Sequence, residues 1–231
     1  SDVCSSDLVG QAGEPLRLRL QGESEQQAAA AVLPHGWGEA SRLLVIDQPE
    51  QSVCFEGLEP HSHPPALSLL RGFSAPVKLE LERSSSELLH LLACDSDPFA
   101  RWDAGQGLLR QAVLERATGA INDELEEGLV AAFERILAEV GLCDANRSML
   151  LALPGLPELE DAALAQAGFC DPPALFQALL DLQQRFGEEL EQPLEHTLER
   201  CRPQWLLAWP DGVGDRKSTR LNSSHQIISY A

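Results

Sequence analysis

Val77-Lys78-Leu79-Glu80-Leu81-Glu82-Arg83-Ser84-Ser85-Ser86-Glu87-Leu88-Leu89-His90-Leu91-Leu92 is where this sequence changes its period. Up to Glu82 apolar and charged residues alternate strictly, as on a strand with one face buried. Past Arg83 the pattern is helical. Ser84-x-x-Glu87 reads as a capping box, in which the hydroxyl and the carboxylate satisfy orphan amide donors. Leu88, Leu89, Leu91 and Leu92 then supply an apolar stripe. One element cannot carry both periods. The chain is therefore expected to divide near Arg83, with β-structure before it and helices after it.

On the amino-terminal side, Leu16-Arg17-Leu18-Arg19-Leu20 alternates again. Ser41 to Asp47 holds the run Leu43-Leu44-Val45-Ile46, suited to a more buried strand. Ser52-Val53-Cys54-Phe55 follows a turn at Gln48-Pro49-Glu50-Gln51. Four or five short strands spaced by Gly and Pro suggest a partial antiparallel β-sandwich of Ig-like type over residues 9–83. Half a sandwich cannot bury both faces, so further strands are expected upstream of Val9.

On the carboxyl-terminal side, Asp97-Pro98 is a helix start, with an N-cap acid and Pro at the first helical position. That helix is expected to reach Thr118 and stop at Gly119. Asp123-x-x-Glu126 opens a third, with Leu129, Val130, Phe133, Ile136, Leu137 and Val140 inward and Gly141 as C-cap. Asp144 is expected to cap a short helix ending before Pro154. Glu158 to Ala167 forms another, and Asp171-Pro172-Pro173 opens one through Phe186. Gln192-Pro193 starts or kinks the last, which ends near Pro203. Short helices with brief connections, over residues 84–214, make an α-helical array whose units stack on their neighbours, superhelical and HEAT-like. No fixed period supports it, so the array rests on layout alone. The fold class is α+β.

The ends read differently. Asp2-Val3-Cys4-Ser5-Ser6-Asp7-Leu8 can be encoded by GAC GTG TGC TCT TCC GAT CT. The reverse complement of that DNA contains GAT CGG AAG AGC ACA CGT, which encodes Asp215-Arg216-Lys217-Ser218-Thr219-Arg220. Residues 1–8 and 215–231 are therefore expected to be adapter-like tails, not native sequence, disordered or at best loosely packed.

The chain of 231 residues has a net charge of −19, and setting the two ends aside leaves −19. Such a balance argues against nucleic acid, which needs a basic footprint. It also argues against an anionic membrane surface. Outside the ends, Cys54, Cys94, Cys143, Cys170 and Cys201 are odd in number, widely spaced and without Cys-x-x-Cys. They are expected to be buried free thiols, not a disulfide framework or zinc knuckle.

Two segments go beyond generic fold grammar. One is Pro65-Ala66-Leu67-Ser68-Leu69-Leu70-Arg71-Gly72-Phe73-Ser74-Ala75-Pro76-Val77-Lys78-Leu79. The other is Asp97-Pro98-Phe99-Ala100-Arg101-Trp102-Asp103-Ala104-Gly105-Gln106. Both resemble the aminopeptidase N branch of the M1 zinc metallopeptidases, the bacterial alanyl aminopeptidase type. Gln51 to Leu58 is similar to that family's strand before the first motif. The resemblance covers Leu16 to about Asp123, in the family's order and spacing. It implies that the first motif closes a small β-sandwich domain and that the second lies on an early helix of the C-terminal helical domain. Arg71, Gly72, Phe73, Pro76, Arg101, Trp102 and Asp103 are thus structural family motifs. Arg71 and Arg101 are expected to pair with acids at the sheet–helix boundary. Phe73, Val77 and Trp102 are expected in the core, and Gly72 at a bend.

The family's chemistry needs a His-Glu-x-x-His helix, a further Glu and a zinc ion. No such motif occurs here. His61-x-His63 lies in a Pro-rich loop with no third ligand nearby, His90 falls on a helix face, and His196 has no second His at helical spacing after it. Glu126-Glu127 and Glu188-Glu189 read as solvated helix faces. The expectation is that no catalytic, metal or substrate-binding residue lies in this chain. The resemblance implies a zinc cofactor and peptide substrates for a longer cytoplasmic parent, with this chain as spacer and cap beside missing N-terminal and catalytic domains. The alternative is an independent protein-interaction module of sandwich plus helical array.

Overall fold

The computed structural model describes residues 2–10, 15–16, 19–24, 42–46, 48, 50–56, 65–71 and 81–201. Two compact units divide at Ala104 and Gly105.

Among the described residues the first unit holds six short strands. These are β1 (Asp2–Val9), β2 (Pro15–Leu16), β3 (Arg19–Leu20), β4 (Arg42–Ile46), β5 (Phe55–Glu56) and β6 (Ala66–Leu69). All pairings are antiparallel. One sheet runs β2-β1-β4 with β6 also on β1, and the other is β3-β5.

Three expectations are corrected here. Asp2–Val9 is not an unstructured tail: it is the strand through which the larger sheet is joined. Its backbone donors and acceptors find partners on both sides, and its last residues, Leu8 and Val9, are buried at 8% and 3% exposure. The alternating stretch at Leu16–Leu20 does not form one strand. It contributes β2 to one sheet and β3 to the other, and residues 17–18 lie outside the described residues. The strand expected at Ser52–Phe55 begins only at Phe55, although Gln21 N still donates to Cys54 O at 2.9 Å. Of the strand expected at Val77–Glu82, residues 77–80 lie outside the described residues, as do Gly72, Phe73, Pro76, His35, His61 and His63.

Among the described residues seven helices follow: α1 (Ser85–Cys94), α2 (Pro98–Ala117), α3 (Asp123–Ala138), α4 (Asp144–Leu150), α5 (Leu156–Ala167), α6 (Pro172–Glu189) and α7 (Glu191–Cys201). Helix α1 packs on β6, so the first compact unit extends past Arg83 into the start of α2.

The helix starts are largely local chemistry. Ser84 Oγ accepts from Glu87 N at 3.2 Å, Asp97 Oδ1 from Ala100 N at 2.8 Å, and Asp171 Oδ1 from Ala174 N at 3.2 Å. Each satisfies a donor that the first turn leaves without a helical partner. Two starts fall one residue earlier than expected. Asn122, not Asp123, caps α3, accepting from Leu125 N at 3.1 Å. Cys143, not Asp144, caps α4, its sulfur 3.4 Å from Asn146 N. Gly119 and Gly168 lie at positive φ, 81° and 67°, where they end α2 and α5 in a conformation glycine adopts without a Cβ penalty.

Helices α6 and α7 are separated by Leu190 alone. Leu190 N donates to Phe186 O and Leu194 N to Leu190 O, each at 2.9 Å. The break lies just upstream of Pro193, which has no N–H to continue the ladder. Starting a new helix at Glu191 places that proline in the first turn, where no intrahelical donor is required.

The second unit is held by one stripe from each helix. Leu108, Leu109 and Val113 of α2, Leu125, Leu129, Phe133 and Ile136 of α3, Leu159 of α5, and Leu182 and Phe186 of α6 are essentially inaccessible. Each such side chain contributes roughly 1.5–3 kcal/mol by leaving water. Phe133 and Phe186 meet edge to face at 5.2 Å between centroids. Val140 departs from the expected inward stripe and is 94% exposed. Helix α3 ends at Ala138, so the residues after it no longer follow its period.

Candidate functional site

The two sequence motifs meet at the turn between α1 and α2. β6 ends at Leu69, and Leu70 takes φ 56°, the left-handed region that costs a residue with a Cβ roughly 1–2 kcal/mol. Gly72, where a bend was expected, lies outside the described residues. Arg71 follows Leu70, 4% exposed. Its Nη1 donates to Asp95 Oδ1 at 2.6 Å and to Ser68 Oγ at 3.2 Å, and its Nη2 donates to Ser96 Oγ at 2.6 Å. A planar guanidinium serves these acceptors at once, which a lysine ammonium cannot do with the same geometry.

Asp95 Oδ1 also accepts from Asp97 N at 2.9 Å. One carboxylate oxygen therefore ties Arg71 to the turn that starts α2. Its other oxygen, Oδ2, is buried and has no hydrogen-bond partner among the described residues. The Asp95 side chain is fully buried. A charge in that position is tolerated only because Arg71 is beside it.

Arg101, from the second motif, reaches the same turn from α2. It is 3% exposed, and its Nε donates to Leu92 O at 2.9 Å. That carbonyl is among the last of α1, which have no partner within their own helix. Both arginines are thus brought together at this junction. Arg71 pairs with an acid, as expected; Arg101 caps carbonyls. Trp102 is half-buried beside Phe99, with ring centroids 5.8 Å apart, and Asp103 is exposed. Trp102 is therefore not the enclosed core residue expected. Nearby, His90 Nε2 lies 2.8 Å from Gly10 O, and Arg83 Nη2 donates to Leu67 O at 2.9 Å.

The second unit carries a polar centre that the sequence reading missed. Glu126 had the pattern of a solvated face, but it is 1% exposed, whereas Glu127 is exposed. Arg116 Nε and Nη2 donate to its two oxygens at 3.1 and 2.6 Å. Arg185 Nη1 adds a third contact at 2.6 Å. Arg185 Nε also holds Glu189 at 2.7 Å, which together with Glu126 raises the guanidinium pKa. Glu126 therefore joins α2, α3 and α6. Arg147 does similar work at the end of α3, donating to Ile136 O at 3.2 Å and Glu139 O at 2.8 Å while pairing with Asp144. The only advance signals were Arg116 ten residues before Glu126 and Arg147 three after Asp144, and neither spacing is distinctive.

These clusters do structural chemistry. They contain no nucleophile paired with a base, and no arrangement that activates water. Among the described residues, no group of three or more His, Cys, Asp or Glu is placed to hold a metal ion. No helix among them is long and apolar enough to cross a membrane. None of the five cysteines from Cys54 to Cys201 is in a disulfide, but they are not buried as expected: Cys54 and Cys143 are exposed, and Cys94, Cys170 and Cys201 are half-buried. Desolvation, then the Asp144 carboxylate, raises the Cys201 thiol pKa.

An Ig-like β-unit followed by a helical array defines the class of protein, and comparison with known proteins agrees with it. A family described as a domain of unknown function with an Ig-like fold matches residues 11–82. Its partner, a domain of unknown function (DUF3458_C) with ARM repeats, matches residues 85–221. The chain belongs to this family, the paired Ig-like and ARM-repeat region typical of aminopeptidase N, and the resemblance read from Arg71 and Arg101 is borne out.

Aminopeptidase N of Caulobacter vibrioides is 37% identical over 150 residues, covering 65% of this chain and 17% of that protein. Aminopeptidase N of Escherichia coli is 28% identical over 165 residues, covering 70% and 18%. The Haemophilus influenzae protein of the same name is 28% identical over 181 residues, covering 77% and 20%. The chain thus spans about a fifth of the length of these relatives. The crystal structure of Legionella pneumophila aminopeptidase A in complex with aspartic acid has the same fold over 98% of this chain and 23% of its own. The TM-score is 0.63, at 21% identity.

Proposed function

We propose that this chain is the non-catalytic C-terminal portion of an M1-type zinc aminopeptidase that removes N-terminal amino acids from peptides. Residues 9–83 serve as the spacer, and residues 84–214 form the first part of a cap over the catalytic chamber. The observation that carries this reading is the family match across both segments, in relatives of which this chain spans only a fifth. Zinc, peptide substrates and the N-terminal and catalytic domains belong to the parent, which acts in the cytoplasm. The motif residues Arg71, Arg101 and Trp102 then serve geometry, fixing how the sheet hands the chain to the first helices. No observation favours the independent interaction module over this reading.

Sequencing the contiguous upstream DNA tests it. The expected result is a His-Glu-x-x-His helix in the same reading frame, because a catalytic zinc needs that ligand pair and its glutamate. A start codon close to Val9, with no such motif ahead of it, overturns the proposal.

A further inference from the structure

Two thiols converge on the start of α4. Cys143 caps that helix, its Sγ accepting from Asn146 N at 3.4 Å, and it is exposed. Cys201 arrives from α7, which packs on α3. Leu190, Leu194 and Thr197 are buried at 2%, 6% and 7% exposure. Cys201 falls at the next helical step after them, so it ends the stripe that α7 turns inward. Its thiol donates to the Asp144 carboxylate. Asp144 directly follows Cys143, and consecutive Cα atoms lie about 3.8 Å apart. Two cysteines far apart in sequence thus flank one aspartate.

The meeting point is built by the fold. The Asp144 carboxylate pairs with Arg147, whose Nε and Nη2 donate to Ile136 O and Glu139 O. The buried guanidinium thereby anchors the connection that carries Cys143 to the end of α3. The two thiols differ in surroundings. Cys143 is open to solvent, where a small oxidant reaches it first. Cys201 is half-buried, and desolvation followed by Asp144 raises its pKa against a weaker opposing pull from Arg200. It therefore stays a thiol until an oxidised sulfur is presented to it.

We infer that Cys143 and Cys201 are a redox pair, in which a peroxide oxidises Cys143 and Cys201 resolves it to a reversible disulfide joining the start of α4 to the end of α7. The Cys143 sulfur attacks one peroxide oxygen, the O–O bond breaks, and water leaves, giving a sulfenic acid. The Cys201 sulfur then attacks that sulfur. Its proton passes to Asp144 and on to the hydroxyl, which leaves as a second water. The two thiols lose two electrons and the peroxide gains them. Closing the bond requires Cys143 to turn out of its cap, so that the Cα atoms come within about 4.4–6.8 Å. The closed loop encloses α4, α5, α6 and most of α7, and restricts their unfolding. This chemistry does not depend on the aminopeptidase reading.

The test treats the full 231-residue chain, reduced and then freed of reductant, with hydrogen peroxide. Peptide mapping without reductant should find Cys143 joined to Cys201 within one chain, and dithiothreitol should release the pair. Cys201→Ser should leave Cys143 as a sulfenic acid that dimedone traps. Cys143→Ser should slow oxidation of Cys201 about tenfold or more, because the accessible thiol is gone. Cys94→Ser, outside the pair, should leave the linkage unchanged. Should a variant fail to fold, mapping of the unmodified chain decides alone. Linkage spread over the other cysteines, linkage only between chains, or Cys143 oxidised beyond the sulfenic acid while Cys201 keeps its thiol would overturn the inference.

Discussion

Glu126 and Arg185 lie 59 residues apart in sequence and 2.6 Å apart in space, with the carboxylate essentially sealed from water. Removing the buried acid from between two arginines takes from Arg116 its carboxylate partner and leaves Arg185 only Glu189 and Asp123. Glu126→Ala is therefore expected to lower unfolding free energy by about 3–5 kcal/mol. Glu127→Ala, one residue away and exposed, should change it by no more than about 0.5 kcal/mol. Urea unfolding of the two variants measures both. Equal, small effects would mean the Glu126 cluster contributes nothing to the packing of α2, α3 and α6.

At the sheet–helix turn, Arg71→Ala leaves Asp95 buried with no cation beside it. A loss of about 3–5 kcal/mol is expected. Arg71→Lys should recover only part of that, because one ammonium cannot reproduce the fork to Asp95 and Ser96. Full recovery by lysine would show that charge alone matters there.

The two large aromatic groups are expected to differ. Phe133 is 2% exposed against Phe186, so Phe133→Ala should cost about 3–5 kcal/mol in lost transfer energy and cavity. Trp102 is only half-buried, and Trp102→Ala should cost clearly less. The reverse order in urea unfolding would contradict the packing described.

Deleting residues 1–8 should lower the thermal midpoint by several degrees, about 4 °C or more for each 1 kcal/mol lost in a unit of this size. The reason is β1, which alone joins β4 to β6 among the described residues. An unchanged midpoint would mean the ladder is not populated in solution.

How much of this was readable in advance follows the range of each interaction. Ser84, Asp97 and Asp171 were legible as caps because the acceptor and the donor it satisfies lie three residues apart. The switch at Arg83 was legible because period is a property of a short window. Glu126 was not, since its burial depends on Arg185, and nothing near Glu126 in the chain announces that partner. β1 was misread for a related reason. Ser5, Ser6 and Asp7 carry no strand signal, and only the flanking backbones of β4 and β6 make the segment a strand. Of the motif residues, Arg71 and Arg101 stood out by type. That they converge on one turn, with Asp95 between them, required the fold.

On the proposed reading, this chain supplies architecture to the parent enzyme and not its chemistry. Catalysis by a metal-activated water needs three protein ligands in fixed geometry and an open position. The decisive measurement is hydrolysis of alanyl and leucyl reporters by the purified chain after dialysis against zinc, with metal content determined in parallel and a chelated control. The account predicts no chelator-sensitive turnover and no stoichiometric zinc. Turnover that co-purifies with the chain and is abolished by the chelator would contradict it.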